Sequence, residues 1–197
     1  MDAGTAMLRD FHARYAGGAA EAFGAGDAGD GRDSYEHLLD ALMEAAPGAE
    51  RVLDAGCGDG VLLERLAARR GGVERVGVDM SPEELACARE RLGGGAELLE
   101  ATLDRIALGD GSIDAILSHM VLMLVTEIEP ALAELRRVLR PGGVLVALVG
   151  RQIEMPPPQR RLMRGLWQRL NAEGAQPPSV GDPRFRDEDG LRELFAG

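Results

Sequence analysis

Short apolar runs alternate with longer amphipathic stretches through most of the chain. The apolar runs predict five strands, at residues 51–55, 75–78, 97–101, 113–118 and 144–149. Apolar positions with a helical period predict the helices between them, at residues 61–70, 81–92 and 127–139. Strands that each lead into a helix are typical of a parallel sheet that is covered on both faces. The pattern therefore predicts an α/β fold with a doubly wound, mostly parallel sheet.

The two flanks of this region follow a different pattern. Residues 1–46 are helical in tendency, with an apolar stripe at Leu8, Phe11 and Tyr15 and a glycine-rich loop before a clearer helix at 35–46. After Gly150 the alternation stops, and helices are predicted at about 159–172 and at 187–195. We expect all 197 residues to form one domain.

Three glycines at alternate positions follow the first predicted strand. Gly56, Gly58 and Gly60 can adopt positive φ angles and let a ligand approach the bare backbone. The helix that begins next offers unpaired N–H groups and the positive end of its dipole. This arrangement predicts a site for a small, partly polar cofactor at the carboxyl end of a parallel sheet.

Composition and charge narrow the function classes. A net charge of -11 opposes binding to nucleic acid or to anionic membranes, and the longest apolar runs are too short to span a bilayer. The first residues lack the basic and apolar regions of a signal peptide. Cys57 and Cys87 form no metal-binding pattern and suit free thiols in a reducing cytoplasm. All 22 basic residues are arginine, which indicates a GC-rich bacterial genome and excludes lysine-based catalysis.

Residues 51–60 resemble the first motif of class I S-adenosylmethionine (SAM)-dependent methyltransferases, an acid followed by any residue and Gly-x-Gly-x-Gly. Asp54 and the three glycines match this motif, and residues 137–143 are similar to the lead into strand five of small-molecule members. The likeness extends over about 15–150. It implies a Rossmann-like sheet, SAM as the cofactor and S-adenosyl-L-homocysteine as the product.

The resemblance assigns roles at the methionine and ribose ends of the cofactor. Asp54 would order the loop and bind the cofactor's ammonium, while Gly56, Cys57 and Gly58 would lie close to its methionine moiety. Gly60 would permit the turn into the next helix. Asp79, which follows the second strand, would accept the ribose hydroxyls, although it also suits an Asp that merely precedes the Ser81 helix cap.

The adenine end matches the family less closely. Met80 would pack on one face of adenine, although a lone methionine there is also typical of the core. Thr102 stands where relatives carry an acid at the end of strand three, and Asp104 is an alternative that would otherwise cap a short helix near 105–107. The Leu103 N–H would donate to an adenine ring nitrogen. Tyr15 resembles the lid tyrosine that covers the methionine end in several relatives.

Ser118 and His119 end the fourth strand, which faces the methyl donor in similar enzymes. His119 is a candidate general base, and a purely structural histidine at the end of a strand is an equally good interpretation. Met120, Leu122 and Met123 suit either an apolar acceptor pocket or the core below the next helix.

The family reading predicts transfer of a methyl group from SAM to a small-molecule O, N or C nucleophile by in-line displacement. It divides the chain into an N-terminal lid (1–46), a SAM-binding core (47–150) and a substrate-side segment (151–197). Relatives carry further strands beyond a helix like that at 187–195, so we expect an exposed sheet edge that can pair in a homodimer. The alternatives are a SAM-binding domain without catalysis or an interaction module, and a nicotinamide-dependent oxidoreductase, whose Gly-x-Gly-x-x-Gly pattern fails at Val61.

Overall fold

The computed structural model describes residues 6, 9–10, 16–18, 30–150 and 181–196. Its helices are α1 (Ser34–Ala45), α2 (Val61–Arg69), α3 (Pro82–Leu92), α4 (Ile128–Val138) and α5 (Glu188–Phe195). Its strands are β1 (Arg51–Ala55), β2 (Glu74–Asp79), β3 (Glu97–Glu100), β4 (Ile113–His119) and β5 (Leu139–Leu148). Short 3-10 helices cover Leu122–Leu124 and Pro183–Arg186.

The five strands form one sheet in the order β3-β2-β1-β4-β5, and every neighbouring pair is parallel. The chain builds outward from β1 in one direction through β2 and β3, and then continues on the other side with β4 and β5. The strand order therefore reverses between β1 and β4. In open α/β sheets, ligands bind beyond the carboxyl ends of the strands at such a reversal. The predicted doubly wound sheet is confirmed.

Apolar side chains of the central strands alternate between two cores. On β1, Val52 packs with residues of α1 and α2, while Leu53 packs with residues of α4 on the opposite face. Neighbouring residues of β4 divide in the same way, with Leu117 on the α1 side and Ile116 on the α4 side. Because both faces are covered, the central strands carry apolar side chains on both faces, as expected for a parallel sheet between helices.

Helix α3 shows why the predicted boundaries agree closely with the structure. Ser81 caps its first turn by accepting from the Glu84 N–H at 3.2 Å, and Pro82 occupies the first helical position. Gly93 ends the helix with a φ of 55°.

Two predicted elements differ from the structure. Strand β5 begins at Leu139 rather than at Val144, because Leu139 already pairs with Ile113 before the register shifts at a bulge. The Pro141-Gly142-Gly143 run therefore lies inside an irregular strand. The short helix predicted near 105–107 is wrong. Residues 102–105 form a turn in which the Arg105 N–H donates to the Thr102 carbonyl at 3.1 Å, and residues 105–107 are not helical.

Some of the predicted elements lie in parts of the chain that the structure does not describe. The helix at 159–172 and the stripe formed by Leu8, Phe11 and Tyr15 lie outside the described residues. In the part of the chain that the structure describes, no helix has the length and apolar character needed to cross a membrane. Strands β3 and β5 are the two edges of the described sheet, and pairing of an edge in a homodimer stays a prediction.

Candidate functional site

The loop after β1 adopts the conformation that its glycines allow. Gly56, Gly58 and Gly60 have φ angles of 82°, 50° and 80°, so each is in the left-handed region. A Cβ on Gly56 would also lie 2.4 Å from a methyl carbon of Val121, so a side chain is excluded there by space as well as by conformation. The loop is bonded to β2, because the Gly56 and Cys57 N–H groups both donate to the Val78 carbonyl, at 2.8 and 2.9 Å.

The Asp54 side chain is buried beside this loop. Its side chain is 1% exposed, and among the described residues its Oδ1 atom finds no hydrogen-bond partner. Burial, together with the nearby charges of Asp79 and Asp59, raises the pKa of Asp54 to about 8. A buried acceptor without a donor is costly, and a ligand that brings a cationic donor would remove this cost.

Asp79 links β2, the glycine loop and α3. Its Oδ2 accepts from the Gly58 N–H at 2.9 Å, and its Oδ1 accepts from the Ser81 N–H at 2.9 Å. The Asp79 carboxylate thus orders the loop, a role that the family resemblance predicts for Asp54. An ionised carboxylate has about four lone-pair positions, so Asp79 can make these two bonds and still accept from ligand hydroxyls.

Two further acids lie at the loop, in addition to those that the sequence motif marks. Asp59 is fully buried and pairs with Arg91 at 2.8 Å. Glu84 is 2% exposed, accepts from the Gly17 N–H at 3.1 Å and would lie 4.0 Å from a Cβ on Gly58. Glu84 was detectable, because it stands three residues after the Ser81 cap in a capping-box pattern. Glu84, together with Asp54 and Asp79, favours a cationic ligand at the loop, whereas the charge of Asp59 is offset by Arg91.

The side chain of Cys57 is directed toward the core. Its sulfur would lie 2.8 Å from a Cβ on Gly77, and it packs in a cluster with Leu63 and Leu85. Burial raises the pKa of the thiol, so Cys57 is an unreactive apolar residue here. Met80, which follows Asp79, is half-buried.

The end of β4 is bonded to β1 and to α1. The Ser118 hydroxyl donates to the Ala55 carbonyl at 3.2 Å. His119 is buried, its Nε2 lies 2.8 Å from Ser34 Oγ, and its ring stacks on Tyr35 with centroids 4.2 Å apart. Burial lowers the pKa of His119 to about 4, despite the opposing charge of Asp33. His119 is therefore neutral at pH 7. Ser34 and Tyr35 were missed because 85 and 84 residues separate them from His119.

Two methionines that follow His119 in the sequence, Met120 and Met123, contact Gly150 just after β5. Met120 has a φ of 60° and is the one non-glycine residue with positive φ among those described. Its methyl carbon would lie 2.9 Å from a Cβ on Gly150, whose N–H lies 3.0 Å from the Met123 sulfur. Leu122, by contrast, is fully buried in the α4 core. Only the methionines thus remain candidates for a pocket wall.

The segment after β3 lies beside Asp79. The Ala101 N–H donates to the Asp79 carbonyl at 3.0 Å, which brings Thr102 and Leu103 to the same edge of the sheet. Thr102 and Asp104 are exposed, whereas the Leu103 side chain is buried in the core. Tyr15 lies outside the described residues.

Comparison with known proteins agrees with this geometry. Residues 53–147, just under half of the chain, match a family model described as a methyltransferase domain. Demethylmenaquinone methyltransferase of Thermus thermophilus is 39% identical over 125 residues, which cover 62% of this chain and 54% of that protein. Malonyl-[acyl-carrier protein] O-methyltransferase of Serratia marcescens is 39% identical over 116 residues, which cover 58% of this chain and 43% of that protein. The chain spans about half the length of these curated relatives.

A solved structure extends the likeness to the fold. SAM-bound CalS10, an amino pentose methyltransferase from Micromonospora echinaspora, is 30% identical and covers 70% of this chain and 57% of that one, with a TM-score of 0.57. The matched family region begins in β1 and ends in β5, so it contains the glycine loop, Asp79 and the end of β4. The part of the chain from β1 to β5 therefore resembles the class I SAM-dependent methyltransferases in sequence and in fold.

Proposed function

We propose that this chain binds SAM and transfers its methyl group to a small-molecule O, N or C nucleophile. The observation that supports this most directly is Asp54, whose buried Oδ1 has no described partner beside a loop of three positive-φ glycines. SAM carries an ammonium and a sulfonium, and both match the acidic surroundings of that loop. The site residues present therefore fit this cofactor.

Each end of the cofactor has assigned residues under this proposal. Asp54 accepts from the ammonium, and the loop backbone from Gly56 through Cys57 and Gly58 lies along the methionine moiety, while Gly60 turns the chain into α2. Asp79 accepts from the ribose hydroxyls while it continues to hold the Gly58 N–H.

At the adenine end we assign Met80 to one face of the ring and Thr102 and the Leu103 N–H to its edge. Tyr15 is assigned to the lid over the methionine end. These four assignments rest on the resemblance and on the position of their segments beside Asp79.

When bound, SAM supplies a methyl group on a sulfonium that is already activated for in-line displacement. The protein then has to align the acceptor with that group and exclude water. We assign Ser118 and His119, at the end of β4, to the surroundings of this group, and His119 can act as a base at pH 7 because its imidazole is neutral. Its Nε2 shares a hydrogen bond with Ser34, so an acceptor uses that nitrogen only if Ser34 moves or relays the proton.

The relatives support a small-molecule acceptor. Two of the three comparison proteins are named for the small molecules demethylmenaquinone and an amino pentose. The net charge of -11 also argues against a nucleic-acid acceptor.

A domain that binds SAM without catalysis is the second candidate. The bonded Nε2 and the low pKa of His119 favour it, because both weaken the candidate base at the end of β4. Detection of a methylated product separates the two, and cofactor binding is common to both.

Isothermal titration calorimetry with S-adenosyl-L-homocysteine and with NADH tests the cofactor. We expect saturable binding of the first and none of the second. Binding of NADH alone would overturn the proposal in favour of an oxidoreductase.

The ribose assignment is tested by pairing a variant with a ligand that lacks the hydroxyls. Asp79→Asn should weaken S-adenosyl-L-homocysteine by about 1–3 kcal/mol, the usual cost of an unpaired buried polar group. It should affect the 2′,3′-dideoxy analogue much less. Equal losses for both ligands would show that Asp79 acts on the loop alone.

A further inference from the structure

Helix α3 contacts the glycine loop at both of its ends. Its first turn is joined to the loop through Asp79, which accepts from the Gly58 and Ser81 N–H groups. Its last two turns pack directly on Gly60, because a Cβ there would lie 3.2 Å from the Ala88 Cβ and 3.0 Å from a Leu92 methyl carbon. The loop is thus enclosed between β1 and α3.

Arg91, in the last turn of α3, binds the loop residue between Gly58 and Gly60. Its Nε donates to the Asp59 carbonyl at 2.9 Å, and its Nη2 donates to Asp59 Oδ2 at 2.8 Å. The planar guanidinium therefore holds the backbone and the side chain of one residue at once. Its remaining nitrogen, Nη1, donates to Glu64 of α2 at 3.2 Å.

Asp59 depends on this contact more than a surface acid would. Its side chain is 0% exposed, while Arg91 is about a quarter exposed at 28%. A buried carboxylate without a cation is strongly unfavourable, so without Arg91 the Asp59 side chain would turn outward to water. The glycines on either side offer little resistance to that movement, because a glycine backbone has a wider range of allowed conformations than that of any other residue.

We propose that Arg91 is a positioning residue for the cofactor loop. By holding Asp59 against α3, it fixes the backbone from Gly58 to Gly60 in the conformation that receives the methionine half of SAM. This inference rests on the proposed function, since it assumes that the loop binds that ligand. Arg91 acts through Asp59 and has no part in the transfer itself.

Two ligands that share only the nucleoside test the proposal. In Arg91→Met we expect the affinity for S-adenosyl-L-homocysteine to fall about tenfold or more, which corresponds to ~1.4 kcal/mol or more. Adenosine, which lacks the homocysteine part, should lose less than about threefold. A merely structural role would lower both affinities by the same factor, because it would reduce the folded fraction for both ligands alike.

Arg89→Met is the matched control. Arg89 lies two residues earlier on the same helix and is exposed, so its loss should leave both affinities unchanged. A second variant, Arg91→Met with Asp59→Asn, removes the unpaired charge and should recover part of the affinity for S-adenosyl-L-homocysteine. Should Arg91→Met fail to fold, Arg91→Lys serves instead, since its single ammonium cannot reproduce the fork.

The outcomes separate this inference from the proposed function. If the unmodified protein binds no S-adenosyl-L-homocysteine, the proposed function fails and the inference fails with it. If the unmodified protein binds it but the Arg91 variant binds it equally well, or loses both ligands equally, the inference alone is overturned.

Discussion

At the scale of single residues, His119 is defined by its surroundings. Its ring stacks on Tyr35, its Nε2 is bonded to Ser34, and burial lowers its pKa to about 4. We predict that the imidazole stays neutral, in one tautomer, down to about pH 5. An NMR titration of the histidine ring signals, with ¹⁵N labelling to identify the tautomer, measures this directly.

Variants of its neighbours check the cause. Tyr35→Leu should expose the ring and raise the pKa of His119 toward its ordinary value, while Glu44→Gln, an exposed change later in α1, should leave it unchanged. A midpoint of 6 or above in the unmodified protein would contradict the prediction, and it would restore His119 as an ordinary base near neutral pH.

Site features that depend on nearby residues can be predicted from the sequence, whereas contacts between residues far apart in the sequence cannot. The positive φ of Gly56, Gly58 and Gly60 was predictable because the requirement is local to a strand-turn-helix unit. The contact of His119 with Ser34, and that of Arg91 with Asp59, join residues 85 and 32 positions apart. No local pattern marks such pairs, because they exist only once the sheet has brought the elements together.

At the scale of elements, the connection between β3 and β4 is held by α4. Arg137 donates to the Ile106 and Leu108 carbonyls, at 3.0 and 2.9 Å, and pairs with Glu134 on its own helix. Glu134 in turn accepts from the Ile106 N–H at 2.7 Å. The same connection carries Thr102 and Leu103, so this network holds the segment that follows the proposed adenine end.

We predict that Arg137→Met loosens this connection without unfolding α4. Amide hydrogen exchange should become faster at Ile106 and its neighbours, while the amides inside α4 keep their protection. Arg105→Met, an exposed change on the same connection, is the control and should alter neither set. Equal acceleration in the connection and in the helix would contradict the prediction, since it would indicate global destabilisation.

The same region shows where element prediction from sequence ends. The sequence of residues 137–143 predicts the end of a helix followed by a break, because proline and glycine usually interrupt regular structure. In the fold, Leu139 pairs with Ile113 and the strand continues through a bulge. Pairing with a neighbouring strand, which depends on tertiary structure, decided the outcome.

At the scale of the whole molecule, two buried groups give the stability of the protein opposite dependences on pH. The pKa of Asp54 is raised to about 8, so between about pH 4 and 8 the folded state holds a proton that the unfolded chain releases. Stability therefore falls as pH rises through this window. The pKa of His119 is lowered to about 4, so the unfolded chain takes up a proton first as pH falls below about 6.5. The contribution of His119 to stability therefore falls as pH falls below about 6.5.

We predict that the melting temperature of the ligand-free protein changes little between about pH 4 and 6.5, where the two contributions cancel, and declines from there toward pH 8. Asp54→Asn should remove the decline on the alkaline side, because the amide does not titrate. The variant should instead lose stability as pH falls below about 6.5, because the contribution of His119 is then no longer cancelled. A melting temperature that is constant from pH 6 to 8 in the unmodified protein would contradict the assigned burial of Asp54.

Ligand binding should reverse the alkaline trend. An ammonium beside Asp54 favours the carboxylate, so S-adenosyl-L-homocysteine should displace the Asp54 proton below about pH 8 and bind up to about tenfold more tightly per pH unit toward that value. Calorimetry in two buffers of different ionisation enthalpy would show the released proton. In Asp54→Asn the affinity should be weaker at pH 8 and nearly independent of pH. Binding of equal strength at pH 6 and 8 without proton release would separate the ammonium from Asp54, and the acidic surroundings of the loop would then need another ligand group.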